Sequence, residues 1–249
     1  MKVPLTKISG ININYKIEGE GQPLVMIAGI GLDLGMWNPQ VPAFKKAFRL
    51  IRFDNKGAGK SDKPKGPYSI RDMAAETMGL LDNLGIDQAS FLGLSLGGFI
   101  AQEIAINYPH RVTKLVLSNT LACWDNDSGL STEAMKLLEK RSAGLARMKF
   151  LTAWFRLTLR SPFRRLTSFL TTMLKSNKAS QDGYQAQMEA AAKHNTFDRL
   201  HLIKAPTLVI VGTDDRLIRP SSSDVLATKI PHAKLVKIAN GSHRLLRSV

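Results

Sequence analysis

Short apolar runs alternate with segments of helical periodicity over most of the chain. The runs occupy residues 23–28, 50–54, 90–94, 112–117, 206–211 and 233–238, and their length is typical of buried strands. Residues 68–84 instead place apolar side chains at helical spacing behind Ser69, which can cap the first turn. Residues 37–48 and 222–229 are also compatible with helix, and residues 2–19 with a hairpin. This alternation predicts an α/β fold with a doubly wound, mostly parallel sheet.

One long segment interrupts the alternation. Residues 121–200 contain no convincing strand pattern and are typical of several helices, one of them starting at Ser161-Pro162. We therefore predict a core built from residues 1–120 and 201–249, with residues 121–200 inserted as a helical cap.

Composition narrows the classes of protein. The chain has 249 residues with 44% hydrophobic content, no apolar stretch long enough to span a membrane and no apolar leader after Met1. We therefore expect a cytoplasmic protein. The single cysteine, Cys123, excludes an intramolecular disulfide and is best explained by packing. The net charge of +15 implies attraction to something acidic without saying what.

A serine lies at the sharpest turn that the sequence predicts. An apolar strand pattern leads into Gly93-Leu94-Ser95-Leu96-Gly97, and a helical pattern follows it. This is the G-x-S-x-G pattern of a nucleophile elbow. The turn is so tight that side chains at Gly93 and Gly97 would collide with the neighbouring strand and helix. Ser95 is therefore the candidate nucleophile.

A serine hydroxyl needs a histidine base, and the histidine needs a carboxylate to orient it. Asp214 and Asp215 both follow the strand at 206–211, and His243 follows the last predicted strand. The order serine, aspartate, histidine is the order expected of a nucleophile elbow in this kind of fold. The competing histidines are His110, His194, His201 and His232.

An oxyanion hole requires two backbone N–H groups aimed at the developing negative charge. The N–H of Leu96, directly after the candidate nucleophile, is one candidate. The N–H of Ile30 is the other, because the sequence Ala28-Gly29-Ile30-Gly31 ends the first central strand with glycines that let the backbone turn.

The chain resembles the α/β-hydrolase family over nearly all of its length outside the predicted cap. The motifs that carry the resemblance are the 28–31 loop, residues 55–61, the elbow at Ser95, and the Asp215 and His243 positions. The family has G-x-x-D after the acid-bearing strand, and this spacing selects Asp215. Residues 54–62, the elbow and residues 115–120 are most similar to 3-oxoadipate enol-lactonases and related small esterases. The family usually has histidine where this chain has Ala28.

The resemblance implies a serine hydrolase that cleaves a carboxylic ester or lactone through an acyl-enzyme, without metal or organic cofactor. Hydrolysis of a carbon–carbon bond by the same three side chains is an alternative. A non-enzymatic protein that keeps the fold to bind a ligand is another.

A basic run distinguishes the predicted cap. Residues 140–178 contain ten Lys and Arg side chains and no Asp or Glu, interleaved with aromatic residues. The candidate substrate or partner contacts in it are Trp154, Phe155, Arg156 and Arg160. Three interpretations of this basic run are open. It forms a solvated face, it docks an acidic carrier protein as in the similar carrier-linked methyl-ester esterases, or it contacts an anionic membrane. The sequence has no recognised nucleic-acid-binding motif, which argues against that partner.

Overall fold

The computed structural model describes residues 5–124, 129–142 and 180–243. Within them eight strands form one sheet. The strands are β1 Leu5–Ile8, β2 Ile11–Glu18, β3 Gln22–Ile27, β4 Phe48–Phe53, β5 Ala89–Leu94, β6 Val112–Ser118, β7 Thr207–Gly212 and β8 Lys234–Ile238.

Six α-helices connect or flank these strands in the described part of the chain. They are α1 Val41–Phe44, α2 Ile70–Asn83, α3 Leu96–Asn107, α4 Thr132–Ser142, α5 Gln181–Ala192 and α6 Ser221–Lys229. Short 3₁₀ helices cover Leu34–Trp37, Pro109–Arg111 and Phe197–Leu202. None of these helices is both long and apolar enough to cross a membrane.

The sheet order is β1-β2-β4-β3-β5-β6-β7-β8. The pairs β1–β2 and β2–β4 are antiparallel, and every later pair is parallel. Because β5, β6, β7 and β8 are parallel neighbours, their carboxyl ends lie at one edge of the sheet. The predicted fold class is therefore confirmed, and the loops that carry the candidate chemistry share that edge.

The apolar sequence of strand β3 reflects burial on both of its faces. Val25 and Ile27 pack into the core that contains α2 and α3, whereas Leu24 and Met26 pack on the opposite face with Trp37. Alternate side chains of a strand point to opposite faces, so a strand covered on both sides has no position for an exposed polar residue.

Most predicted boundaries agree with the observed elements, and the Ser69 cap is confirmed. The Ser69 hydroxyl accepts from the Asp72 N–H, and the Asp72 carboxylate accepts from the Ser69 N–H, forming a capping box. Residues 37–48, whose sequence is compatible with helix, are helical only in part. Pro39 and Pro42 each lack the N–H that a continuous helix needs, and only the short α1 forms there before β4 begins at Phe48.

Helices α4 and α5 lie between β6 and β7, within the segment predicted to be the cap. Residues 143–179 of that segment, which include most of the basic run, lie outside the described residues. The division into core and cap therefore stays a prediction. The helix start at Ser161-Pro162 lies outside the described residues.

Candidate active site

The turn between β5 and α3 holds Ser95 in a conformation that few non-glycine residues adopt. Ser95 has φ 54° and ψ −119°. A Cβ on Gly93 would lie 2.3 Å from the Gly97 carbonyl oxygen, and a Cβ on Gly97 would lie 2.1 Å from the carbonyl oxygen of Ile27. Both contacts are with backbone, so the collisions predicted from the motif are confirmed. Such backbone strain persists only where the surrounding structure enforces it.

Hydrogen bonds on both sides of Ser95 fix its backbone. Its N–H donates to the Ser118 carbonyl oxygen at 3.0 Å, joining the turn to the end of β6. Its own carbonyl accepts from the Thr120 hydroxyl and from the Gly98 N–H, each at 2.8 Å. The Ser95 hydroxyl makes no hydrogen bond with another described residue.

Asp215 and His243 are in direct contact. The Nδ1 atom of His243 lies 2.8 Å from Oδ2 of Asp215, and both residues are buried. An ionised carboxylate only accepts hydrogen bonds, so Nδ1 carries the hydrogen and Nε2 remains as the basic nitrogen. Of the two neighbouring aspartates, Asp215 is the one whose carboxylate contacts His243.

The Asp215 carboxylate is held by three further donors. Its Oδ1 accepts from the N–H groups of Leu217 and Ile218 at 2.9 and 3.0 Å. Its Oδ2 accepts from the Asn119 side chain at 2.7 Å as well as from His243. The carboxylate plane is therefore fixed from both oxygens, which fixes the orientation of the imidazole in turn.

Sequence reasoning missed Asn119. It directly follows β6, which lies between β5, the strand that leads to Ser95, and β7, the strand that leads to Asp215. Its φ is 45°. The available signal was its place at the carboxyl end of a core strand, where functional side chains of parallel sheets collect. The sequence offers nothing that pairs Asn119 with Asp215 across 96 positions.

The Ser95 turn and the Asp215–His243 pair are joined through the end of β6. Ser118 accepts from Ser95, and the next residue, Asn119, donates to Asp215. No hydrogen bond joins the Ser95 hydroxyl to His243. Hydrogen bonds between catalytic groups are often long without substrate and tighten in the complex.

The 28–31 loop lies against Ser95. A Cβ on Gly29 would be 3.6 Å from the Ser95 Cβ, an ordinary contact. Neither the Ile30 N–H nor the Leu96 N–H donates to another described residue. An oxyanion hole needs two N–H groups without a protein partner, so the assignment of Ile30 and Leu96 to that role stays a prediction.

Comparison with known proteins identifies the family. The sequence model of the family described as alpha/beta hydrolase fold matches residues 22–246. The chain belongs to the α/β-hydrolase family.

Two curated relatives and one solved structure illustrate the similarity. The chain is 29% identical to 3-oxoadipate enol-lactonase 2 of Acinetobacter baylyi over 94% of this chain and 86% of that protein. It is 31% identical to a poly(3-hydroxyalkanoate) depolymerase of Ectopseudomonas oleovorans over 88% of this chain and 77% of that protein. The enol-lactonase of Burkholderia xenovorans superposes with a TM-score of 0.82 at 29% identity, covering 94% of this chain and 91% of that one. The resemblance to enol-lactonase-like α/β-hydrolases is thus confirmed.

Another histidine of this α/β-hydrolase contacts a carboxylate, but away from Asp215. His194 stacks on Phe99 with ring centroids 4.5 Å apart, and its Nδ1 lies 3.9 Å from Glu103. Burial lowers the pKa of His194 to about 4, against the opposing influence of Glu103. An imidazole that stays neutral in this way is suited to packing rather than to accepting a proton at neutral pH.

The remaining histidines and the cysteine that the sequence singled out are not among the groups that bond the Asp215 carboxylate. His110, His201 and His232 are exposed, and Cys123 is buried as a free thiol. Among the described residues, no group of three or more His, Cys, Asp or Glu side chains is arranged to hold a metal ion. The predicted cap contacts Trp154, Phe155, Arg156 and Arg160 lie outside the described residues.

Proposed function

We propose that this α/β-hydrolase is a serine hydrolase that cleaves a carboxylic ester or lactone through an acyl-enzyme. The observation that carries the proposal is the 2.8 Å contact between Asp215 and His243, linked through the end of β6 to the strained turn of Ser95. A buried aspartate that orients a histidine near an elbow serine is the arrangement that activates a hydroxyl nucleophile.

In the proposed first half-reaction, the Ser95 hydroxyl oxygen attacks the carbonyl carbon while Nε2 of His243 takes the hydroxyl proton. The carbonyl oxygen becomes an oxyanion beside the N–H groups of Ile30 and Leu96. When the tetrahedral intermediate collapses, the bond to the alcohol oxygen breaks and His243 returns the proton to that oxygen. In a lactone the alcohol remains part of the acyl group.

In the second half-reaction, a water molecule gives a proton to His243 and attacks the acyl carbon. Collapse of this intermediate releases the carboxylic acid and restores the Ser95 hydroxyl. Asp215 stays ionised throughout and stabilises the imidazolium that forms twice in each turnover. The four hydrogen bonds that reach its carboxylate keep it in the orientation that this role requires.

The choice of ester and lactone rests on the relatives. The enol-lactonases act, by their names, on a cyclic ester, and the depolymerase on a polymer of hydroxyalkanoates. Carbon–carbon hydrolysis remains the enzymatic alternative, since the same side chains serve it. Docking of an acidic carrier or membrane depends on the basic run of residues 140–178 and stays a prediction of the sequence.

A substrate panel tests the proposal: p-nitrophenyl acetate, p-nitrophenyl decanoate and γ-butyrolactone, each with the wild type and Ser95→Ala. We expect Ser95→Ala to lower kcat by about 10⁴-fold or more on every substrate that the wild type turns over. Ser90→Ala is the matched control, because Ser90 lies on the same strand and its hydroxyl bonds only Thr113 at 2.9 Å. Turnover by Ser95→Ala equal to that of Ser90→Ala would refute the proposal.

A further inference from the structure

Helix α5 packs directly against two loops at the candidate active site, the loop after β3 and the loop after β4. A Cβ on Gly183 would lie 2.4 Å from the Gly57 carbonyl oxygen, in the loop that follows β4. A Cβ on Gly31 would lie 3.0 Å from the ring of Tyr184, in the loop that follows β3. The approach of Gly183 to Gly57 is backbone to backbone and leaves no room for a side chain there, whereas the Tyr184 ring fills the space between the helix and Gly31.

One side chain of α5 bonds both loops. Oε1 of Gln187 accepts from the Gly31 N–H at 2.8 Å, and its Nε2 donates to the Lys56 carbonyl oxygen at 2.6 Å. The residue is 0% exposed. A buried amide with both ends bonded holds one geometry, because any rotation would leave a donor or an acceptor unpaired.

The bond to Gly31 acts next to the candidate oxyanion donor. Gly31 follows Ile30 directly and has φ 65°, so its backbone depends on its hydrogen bonds rather than on side-chain sterics. Asn55 holds the other end of the loop by donating to the Ala28 carbonyl at 3.0 Å. The Ile30 N–H lies between these two anchors.

We propose that Gln187 is a positioning residue that sets the direction of the Ile30 N–H, so that a helix inserted between β6 and β7 completes the oxyanion hole. This inference rests on the proposed function, since it assumes that Ile30 binds an oxyanion. Loss of the amide leaves the turn at Ile30 and Gly31 closed only by the 3.2 Å bond from the Leu32 N–H to the Gly29 carbonyl, and this looser turn lets the Ile30 N–H tilt away from the reacting oxygen. Ground-state binding does not depend on that N–H direction, whereas the tetrahedral intermediate does.

The test uses Gln187→Met, which keeps the side-chain volume and removes both hydrogen bonds. With p-nitrophenyl acetate we expect kcat to fall about 10- to 100-fold with KM little changed. The inhibition constant of phenylboronic acid, which forms a tetrahedral adduct on the serine, should rise by a similar factor. Gln185→Met is the matched control: its amide donates to Glu189 on the same helix at 3.0 Å, away from both loops.

Unchanged kcat in Gln187→Met, or a rise in KM alone, would overturn the inference. Gln187→Leu serves as a second apolar variant, and circular dichroism checks the fold of each. If neither variant folds, the amide is needed for folding alone, and the positioning role is refuted. Ser95→Ala in the same assay separates the two ideas, because turnover by that variant contradicts the proposed function itself.

Discussion

Replacing Asn119 by glycine tests how the site holds its carboxylate. Glycine adopts φ 45° without steric cost, so Asn119→Gly removes the amide and adds no backbone strain. The lost bond is a buried 2.7 Å hydrogen bond to a carboxylate, worth about 1.5–3 kcal/mol. If that whole amount is lost in the transition state, kcat/KM falls by about 10- to 150-fold, at 1.4 kcal/mol for each tenfold.

The control is Asn14→Gly. Asn14 is also buried, and it donates to the Asp54 carboxylate at 2.6 Å. It lies on β2, near one end of the strand order, whereas Asp215 follows β7, near the other end. Urea unfolding gives the stability of each variant, and p-nitrophenyl acetate hydrolysis gives kcat/KM. We expect the larger loss of stability in Asn14→Gly, because glycine also weakens the interior of β2, and the large loss of kcat/KM only in Asn119→Gly. An equal loss of kcat/KM in the two variants would refute a special role for the bond to Asp215.

Three further substitutions have expected outcomes. Gly97→Ala places its Cβ against the Ile27 carbonyl oxygen and should lower the unfolding free energy by at least about 2 kcal/mol; an unchanged Tm would contradict the steric account of the elbow. Burial holds the pKa of His194 at about 4 in the folded chain, below the ordinary histidine pKa of 6.5, so stability should fall as the pH falls from 6.5 to 4, by about 3 kcal/mol in all. Urea titrations of His194→Phe should lack that part of the pH dependence, and an identical slope would count against it. Lys56→Met leaves Glu76 buried and unpaired, and should cost about 3–5 kcal/mol that the double variant with Glu76→Leu recovers; no recovery in thermal melts would show that the ion pair is not the cause.

Local features could be predicted from the sequence because all the residues that determine each one lie within a few positions of one another. The elbow contains its own steric constraints at Gly93 and Gly97, and the Ser69 cap needs only Asp72 beside it. The positions of β3 and β5 followed from continuous apolar runs, since both faces of these two strands are mostly buried. The geometry of these elements depends little on distant parts of the chain.

Contacts between segments far apart in the sequence could not be predicted from the sequence. Asn119 meets Asp215 across 96 positions, and Gln187 meets Gly31 across 156. Neither residue belongs to a motif, because an amide has many partners and only the packed sheet and α5 decide which ones it bonds. Residues 37–48 were compatible with helix but form only the short α1, because Pro39 and Pro42 lack the N–H groups that a longer helix needs.

Covalent labelling tests the central claim most directly. The wild type is treated with a fluorophosphonate at neutral pH, and the modified peptide is identified by mass spectrometry. We expect one adduct on Ser95, formed much more slowly in His243→Ala and Asp215→Asn because each substitution removes part of the activating pair. An adduct on any other residue, or labelling of Ser95 at the same rate in all three proteins, would contradict it.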